Sequence, residues 1–204
     1  MTPSKPAIIL ASGSQSRRQL LASAGVTFEV VPANVDERAL RDAAIARDRG
    51  TSPGALALML AQAKAQEVAA RRPDCIVIGA DQMLALGPRL FEKPRDMAEA
   101  RAHLLAMRGQ THQLHGGIAV IAPGRPLWTH EVVSHMSMRA FTPAFLEHYL
   151  VTAGAQICQS VGAYQLEGLG IQLFDRIEGD YFAILGLALS PLLAHLRALG
   201  ALPE

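Results

Sequence analysis

Cys75-Ile76-Val77-Ile78-Gly79-Ala80-Asp81 reads as a short buried strand that runs into an acid. An unbroken apolar run of this length, rich in β-branched residues, marks a strand covered on both faces by helices. The strand is expected to stop at Gly79-Ala80-Asp81, which puts the Asp81 carboxylate where a strand hands over to a loop. Open α/β sheets take their ligands at such ends.

Working outward, the same alternation repeats. Upstream, Ile8-Ile9-Leu10 is a strand, Ser12-Gly13-Ser14 a turn, and Leu20, Leu21 and Ala24 recur at helical spacing up to Gly25. Phe28 to Val31 is a second strand. Ser52-Pro53 supplies an N-cap and a first-turn proline for a long helix through Leu56, Leu60, Ala63 and Val68. Downstream, Met83 to Leu86 resumes as strand, Gly87-Pro88 turns the chain, and Asp96 to Met107 is a helix stopped by Gly109. Ile118 to Ala122, Val132 to Met138 and Ile171 to Ile177 read as strands. Thr142-Pro143 caps a helix running to Val151, and Leu187 to Leu199 is a closing amphipathic helix. Interleaved strands and helices predict an α/β fold with a mixed central sheet flanked by helices. No internal repeat is found. The irregular stretches Asn34 to Gly50 and Gly154 to Gly170 are candidate cleft walls.

The 204 residues, 50% of them apolar, suffice for one domain with room for two lobes around a cleft. A formal charge of +1 argues against a polyanion-binding surface, so any phosphate binding must be local. Cys75 and Cys158 make neither a disulfide framework nor a zinc site. The apolar stretch after Lys5-Pro6 is too brief for a signal peptide, and no run approaches a membrane span. The expectation is a soluble, cytoplasmic protein with no membrane or nucleic-acid polymer as partner.

The turn Ser12 to Arg18 joins hydroxyls, a permissive glycine and two guanidinium groups to a helix N-terminus, where free N–H groups favour an anion. On turn chemistry alone it is either a phosphate cradle or a capped helix with solvated arginines. Val35-Asp36-Glu37 adds two carboxylates after a strand, and with Asp81 they form oxygen donors suited to a hard divalent cation. Lys64 and Lys93, taken singly, read as surface or snorkelling cations. His112 and His115 fall on opposite faces of a strand, which disfavours a shared metal. No P-loop, dinucleotide fingerprint or nucleophile elbow is present.

Set in order, these segments resemble the Maf family of nucleoside triphosphate pyrophosphatases. The resemblance rests on Leu10 to Ser14 with Arg17 and Leu20-Leu21, Val35-Asp36-Glu37, Ala63-Lys64-Ala65, Gly79-Ala80-Asp81-Gln82 and Lys93-Pro94. It continues through Arg108 to His112, Gly162-Ala163-Tyr164, Glu167 to Gly170 and Ile177 to Tyr181. It implies an elongated α/β Maf/ITPase-like fold with a central cleft, a divalent cation (Mg²⁺ or Mn²⁺), and cleavage of the α–β phosphoanhydride to a monophosphate and diphosphate. By resemblance, Asp81 is the proton acceptor, Glu37 and Asp81 hold the metal, and Ser12, Ser14, Arg17, Lys64 and Lys93 bind the phosphates. Ser16, Gln82 and Glu167 occupy the positions of substrate choice. Gln15 and Ser16 depart from the family's usual Pro followed by Arg or Trp, so a large side chain is missing there.

The pair Gln82 and Glu167 looks like the branch acting on 7-methyl-GTP. A carboxylate accepts two parallel hydrogen bonds, which suits the two N–H donors of a guanine edge and not the single N–H of uracil or thymine. The expected substrates are guanine-type or modified triphosphates, consistent with house-cleaning of non-standard nucleotides. The alternatives are a dTTP/UTP pyrophosphatase and a non-catalytic nucleotide-binding regulator of cell division. A homodimer is the assembly left open.

Overall fold

Eleven residues without a break, Ile76–Leu86, form the strand that carries Asp81. In the computed structural model, which describes residues 6–203, the elements in chain order are β1 Ile8–Leu10, α1 Gln15–Ser23, β2 Glu29–Val30, α2 Glu37–Arg47, α3 Pro53–Arg71, β3 Ile76–Leu86 and β4 Arg89–Phe91. There follow α4 Met97–Met107, β5 Thr111–Ile121, β6 Trp128–Met138, α5 Pro143–Ala153, β7 Phe174–Glu178, α6 Tyr181–Ile184 and α7 Leu189–Ala198. Two short 3-10 segments, Ala155–Gln159 and Leu169–Leu173, lie between α5 and β7. The strands form a seven-stranded mixed sheet in the order β2-β1-β3-β5-β6-β7, with β4 paired to β3. β1 is parallel to both neighbours, while β3–β4 and β6–β7 are antiparallel. No helix among the described residues is long and apolar enough to cross a membrane.

The chain divides into two compact units. The first comprises Met1–Gln82, Gly116–Val132 and Tyr181–Glu204, and the second Met83–His115 and Val133–Asp180. In the first unit the sheet is buried on both faces. One face carries Ile8, Leu10, Ile76, Ile78 and Ala80 against Leu20 and Leu21 of α1, Ala183 of α6, and Leu189, Leu192 and Leu196 of α7. The other carries Ile9 and Val77 against Ala61, Ala65 and Val68 of α3. Strand alternation therefore turns Val77, Gly79 and Asp81 toward α3, and Ile78, Ala80 and Gln82 toward α6.

Three expectations are corrected. β3 does not stop at Gly79-Ala80-Asp81, and Asp81 stands in mid-strand. Gly79 is there for contact and not for a turn: a Cβ would run into the Ala61 carbonyl oxygen and lie 2.8 Å from the Ala65 nitrogen. The helix backbone thus lies directly on the strand. Second, the stretch 34–50 is not irregular but contains α2, capped by Asp36, whose side chain accepts from the Ala39 N–H at 2.9 Å. Only Ala44 of this helix is buried. Third, the stretch 171–177 is strand only from Phe174, the first half being 3-10 helix. The four-residue α6 has no counterpart in the sequence pattern.

The second unit packs α4 and α5 with β4 and β7. Asp96 caps α4 by accepting from Glu99 N–H at 2.8 Å, and Thr142 caps α5 ahead of Pro143.

Candidate functional site

The chain leaves β1 one residue after Leu10 pairs with Ile78, whereas β3 runs on past Asp81. The turn after β1 therefore lies at the level of the acid. Ser14 caps α1, accepting from Arg17 N–H at 3.4 Å, and its own N–H donates to Ser12 Oγ at 3.3 Å. The Arg17 side chain folds back: Nη1 donates to Ser12 Oγ at 3.1 Å and Nε to the Gly186 carbonyl at 2.9 Å. Arg17 is 8% exposed. Burial pulls its pKa below the ordinary arginine value, and the nearby charges of Asp81 and then Glu37 oppose that shift. The guanidinium keeps N–H donors over after these two bonds.

Lys64 reaches the acid from α3. Its Nζ donates to Asp81 Oδ1 at 2.6 Å and pairs with Glu37 Oε1 at 2.9 Å. The Lys64 and Asp81 side chains are 8% and 9% exposed, and Glu37 is 52% exposed. The close seating of α3 on Gly79 lets this lysine reach two residues further along the strand, so it is not a surface cation. Glu37 arrives as the first residue of α2, fixed by the Asp36 cap. A buried carboxylate and a buried ammonium are tolerable only because each has the other. One N–H donor of the ammonium is committed to Asp81, and the contact with Glu37 is an ion pair.

The structure thus assembles Ser12, Ser14, Arg17, Glu37, Lys64 and Asp81 within one unit. Ser16 lies half-buried in the first turn of α1. Gln82 also belongs to this unit, but on the face toward α6: its Nε2 donates to the carbonyls of Ala183 at 2.9 Å and Ile184 at 3.3 Å. Lys93 and Glu167 belong to the second unit. Lys93 is exposed on the segment between β4 and α4, and Glu167 is exposed in the turn before Leu169–Leu173. Sequence reasoning missed Gly186 and the carbonyls of Ala183 and Ile184, because backbone acceptors leave no mark on residue type. Among the described residues no three His, Cys, Asp or Glu side chains gather as a metal-holding group.

His112 has a structural place in the second unit. It is fully buried, with Nε2 2.7 Å from the Tyr164 hydroxyl and Nδ1 without a hydrogen-bond partner. Burial pushes its pKa down to about 4. Tyr164 is raised by burial and by neighbouring Tyr149, whose hydroxyl donates to the Ala163 carbonyl at 3.0 Å. The imidazole is therefore neutral at pH 7 and serves as a core group.

A family model described as Maf-like protein matches residues 7–199. A 7-methyl-GTP pyrophosphatase of Mesorhizobium japonicum is 54% identical over 195 residues, covering 96% of this chain and 97% of the relative. A nucleoside triphosphate pyrophosphatase of Nitrobacter winogradskyi is 52% identical over 192 residues, covering 94% of this chain and 93% of the relative. A crystal structure of a nucleoside-triphosphatase / dITP/XTP pyrophosphatase from Mycobacterium abscessus aligns with 97% of this chain and 98% of that chain, at a TM-score of 0.40 and 16% identity. That likeness is too distant to transfer residue roles.

Proposed function

Because the chain belongs to the Maf-like family, we propose that it hydrolyses nucleoside triphosphates between the α- and β-phosphates, releasing a monophosphate and diphosphate. The observation that most supports this reading is the buried Lys64 shared by Asp81 and Glu37, with Arg17 inside their electrostatic reach. A triphosphate brings about four negative charges, and both cations have a donor left for its oxygens. Arg17 binds through paired N–H groups and Lys64 as a point charge. Both are already anchored, so little freedom is lost when substrate enters.

Asp81 is the general base of this proposal. One carboxylate oxygen is bonded to Lys64, and the other is the acceptor for a proton of the attacking water. The donor set of Asp81 and Glu37 suits a hard divalent cation, because Mg²⁺ is usually held by one or two carboxylates and completes its shell with phosphate oxygens and waters. When bound, Mg²⁺ or Mn²⁺ would supply Lewis-acid polarisation of the phosphates. Lys93 and Glu167 keep the roles that the family resemblance implies, phosphate binding and base choice.

The substrates are proposed to be guanine-type triphosphates, 7-methyl-GTP among them, removed as part of cytoplasmic house-cleaning. The names of the relatives from Mesorhizobium japonicum and Rhizobium johnstonii, both 7-methyl-GTP pyrophosphatases, support this choice. The test is product analysis over GTP, 7-methyl-GTP, dTTP and UTP, with Mg²⁺ or with a chelator. Diphosphate from the guanine nucleotides, only with metal, is the expected result. Release of orthophosphate, or faster turnover of dTTP or UTP, would overturn the cleavage site or the base assignment respectively.

A further inference from the structure

We infer that Gln82 is a positioning residue for phosphate binding: it holds the end of α6 and thereby sets the Gly186 carbonyl on which Arg17 is anchored. The inference rests on the pyrophosphatase reading and changes the role of one residue within it. By resemblance Gln82 stands at a position of base choice, yet its amide nitrogen is already bonded to protein.

The connection is continuous in hydrogen bonds. Gln82 Nε2 donates to the Ala183 carbonyl at 2.9 Å and to that of Ile184 at 3.3 Å. Both partners are pure acceptors, which fixes the amide with its nitrogen toward α6. The Ala183 carbonyl also accepts the Gly186 N–H at 2.9 Å. The Gly186 carbonyl in turn accepts Arg17 Nε at 2.9 Å. Gly186 has φ +115°, a conformation costly for any residue with a side chain, so a substitution there would shift the carbonyl that Arg17 uses. Loss of the Gln82 donors removes the side-chain tie on the α6 carbonyls and loosens the peptide that orients the guanidinium.

The faces of β3 support the same assignment. Asp81 points toward α3 and Lys64, whereas Gln82 points with Ala80 toward α6. Neighbours on a strand address opposite sides, so Gln82 is directed at the segment behind Arg17 and away from the Lys64 side of the acid. Its effect should consequently fall on the phosphates, which every nucleotide shares, and not on the base.

The test uses a ligand without a base. Gln82→Met keeps the length of the side chain and removes both donors. In Mg²⁺, calorimetric binding of inorganic diphosphate should weaken about tenfold, the size of a lost pair of hydrogen bonds. kcat/KM should fall by a similar factor for GTP and for UTP, leaving their ratio within about twofold of wild type. Gly186→Ala should give the same base-independent loss, and it carries the test if Gln82→Met does not fold. In an Arg17→Lys background, which lacks Nε, Gln82→Met should cause no further loss of diphosphate affinity. Unchanged diphosphate affinity, or a loss confined to GTP, would overturn the inference and return Gln82 to the base. Failure of the wild type to release diphosphate from any nucleotide would instead sink the pyrophosphatase reading, while the binding measurement would still decide the role of Gln82.

Discussion

Replacing Lys64 by Met should destabilise the protein by about 3 kcal/mol in the absence of metal. Lys64 is the hub of two ion pairs, at 2.6 Å to Asp81 and 2.9 Å to Glu37, but these differ in burial. Glu37 is half in water, so its pair falls in the range of about 0–1 kcal/mol. Asp81 is 9% exposed, and removing the partner of a buried charge costs about 3–5 kcal/mol. The positive charge of Arg17 lies within reach of Asp81 and softens that loss, which places the expectation at the lower end. A domain of this size loses about 2–4 °C in Tm per kcal/mol, so the drop should be about 6–12 °C. The assay is thermal unfolding followed by circular dichroism in EDTA. Millimolar Mg²⁺ should raise the Tm of Lys64→Met more than that of the wild type, since two facing carboxylates then lack their ammonium. The double variant Lys64→Met/Asp81→Leu should recover part of the stability, because the buried carboxylate left without its ammonium is gone, while Arg17 keeps only Glu37 as a nearby opposite charge. A Lys64→Met protein melting within about 2 °C of wild type in EDTA would refute the buried pair.

Asp81→Asn should keep the fold and lose about 10² to 10⁴ in turnover, the usual contribution of a general base; steady-state diphosphate release decides this, and retention of about a tenth of wild-type activity would exclude the role. Glu167→Gln should erode the preference for GTP over UTP by about 1–3 kcal/mol in relative kcat/KM, with little change in Tm because the residue is exposed. His112 predicts a pH dependence of stability. Its folded pKa of about 4 lies below the unfolded value, so above about pH 6.5 it contributes nothing to the slope, and as pH falls toward 4 the unfolded chain takes up the proton first. Stability should drop by up to about 3 kcal/mol over that window in urea titrations, and His112→Gln should flatten the slope.

The parts legible in the sequence are those that local chemistry determines. Ser14, Ser52 and Thr142 each cap the helix that their position announces. The buried runs at Ile8 and Ile76 are the adjacent parallel strands β1 and β3. What escaped is tertiary. Gly79 looks like a strand stop and is instead the place where α3 presses on β3, so the mid-strand setting of Asp81 could not be read without the helix. Lys64 looks like any helix-surface lysine until that contact brings its ammonium onto the acid. α2 buries only Ala44, and the acceptors at Ala183, Ile184 and Gly186 are backbone groups.

The central claim is that water, deprotonated by Asp81, attacks the α-phosphorus. Hydrolysis of GTP in ¹⁸O-enriched water, with the products separated and weighed by mass spectrometry, tests it most directly. The label should enter the monophosphate, with unlabelled diphosphate. Label in the diphosphate, or release of labelled orthophosphate, would contradict the account.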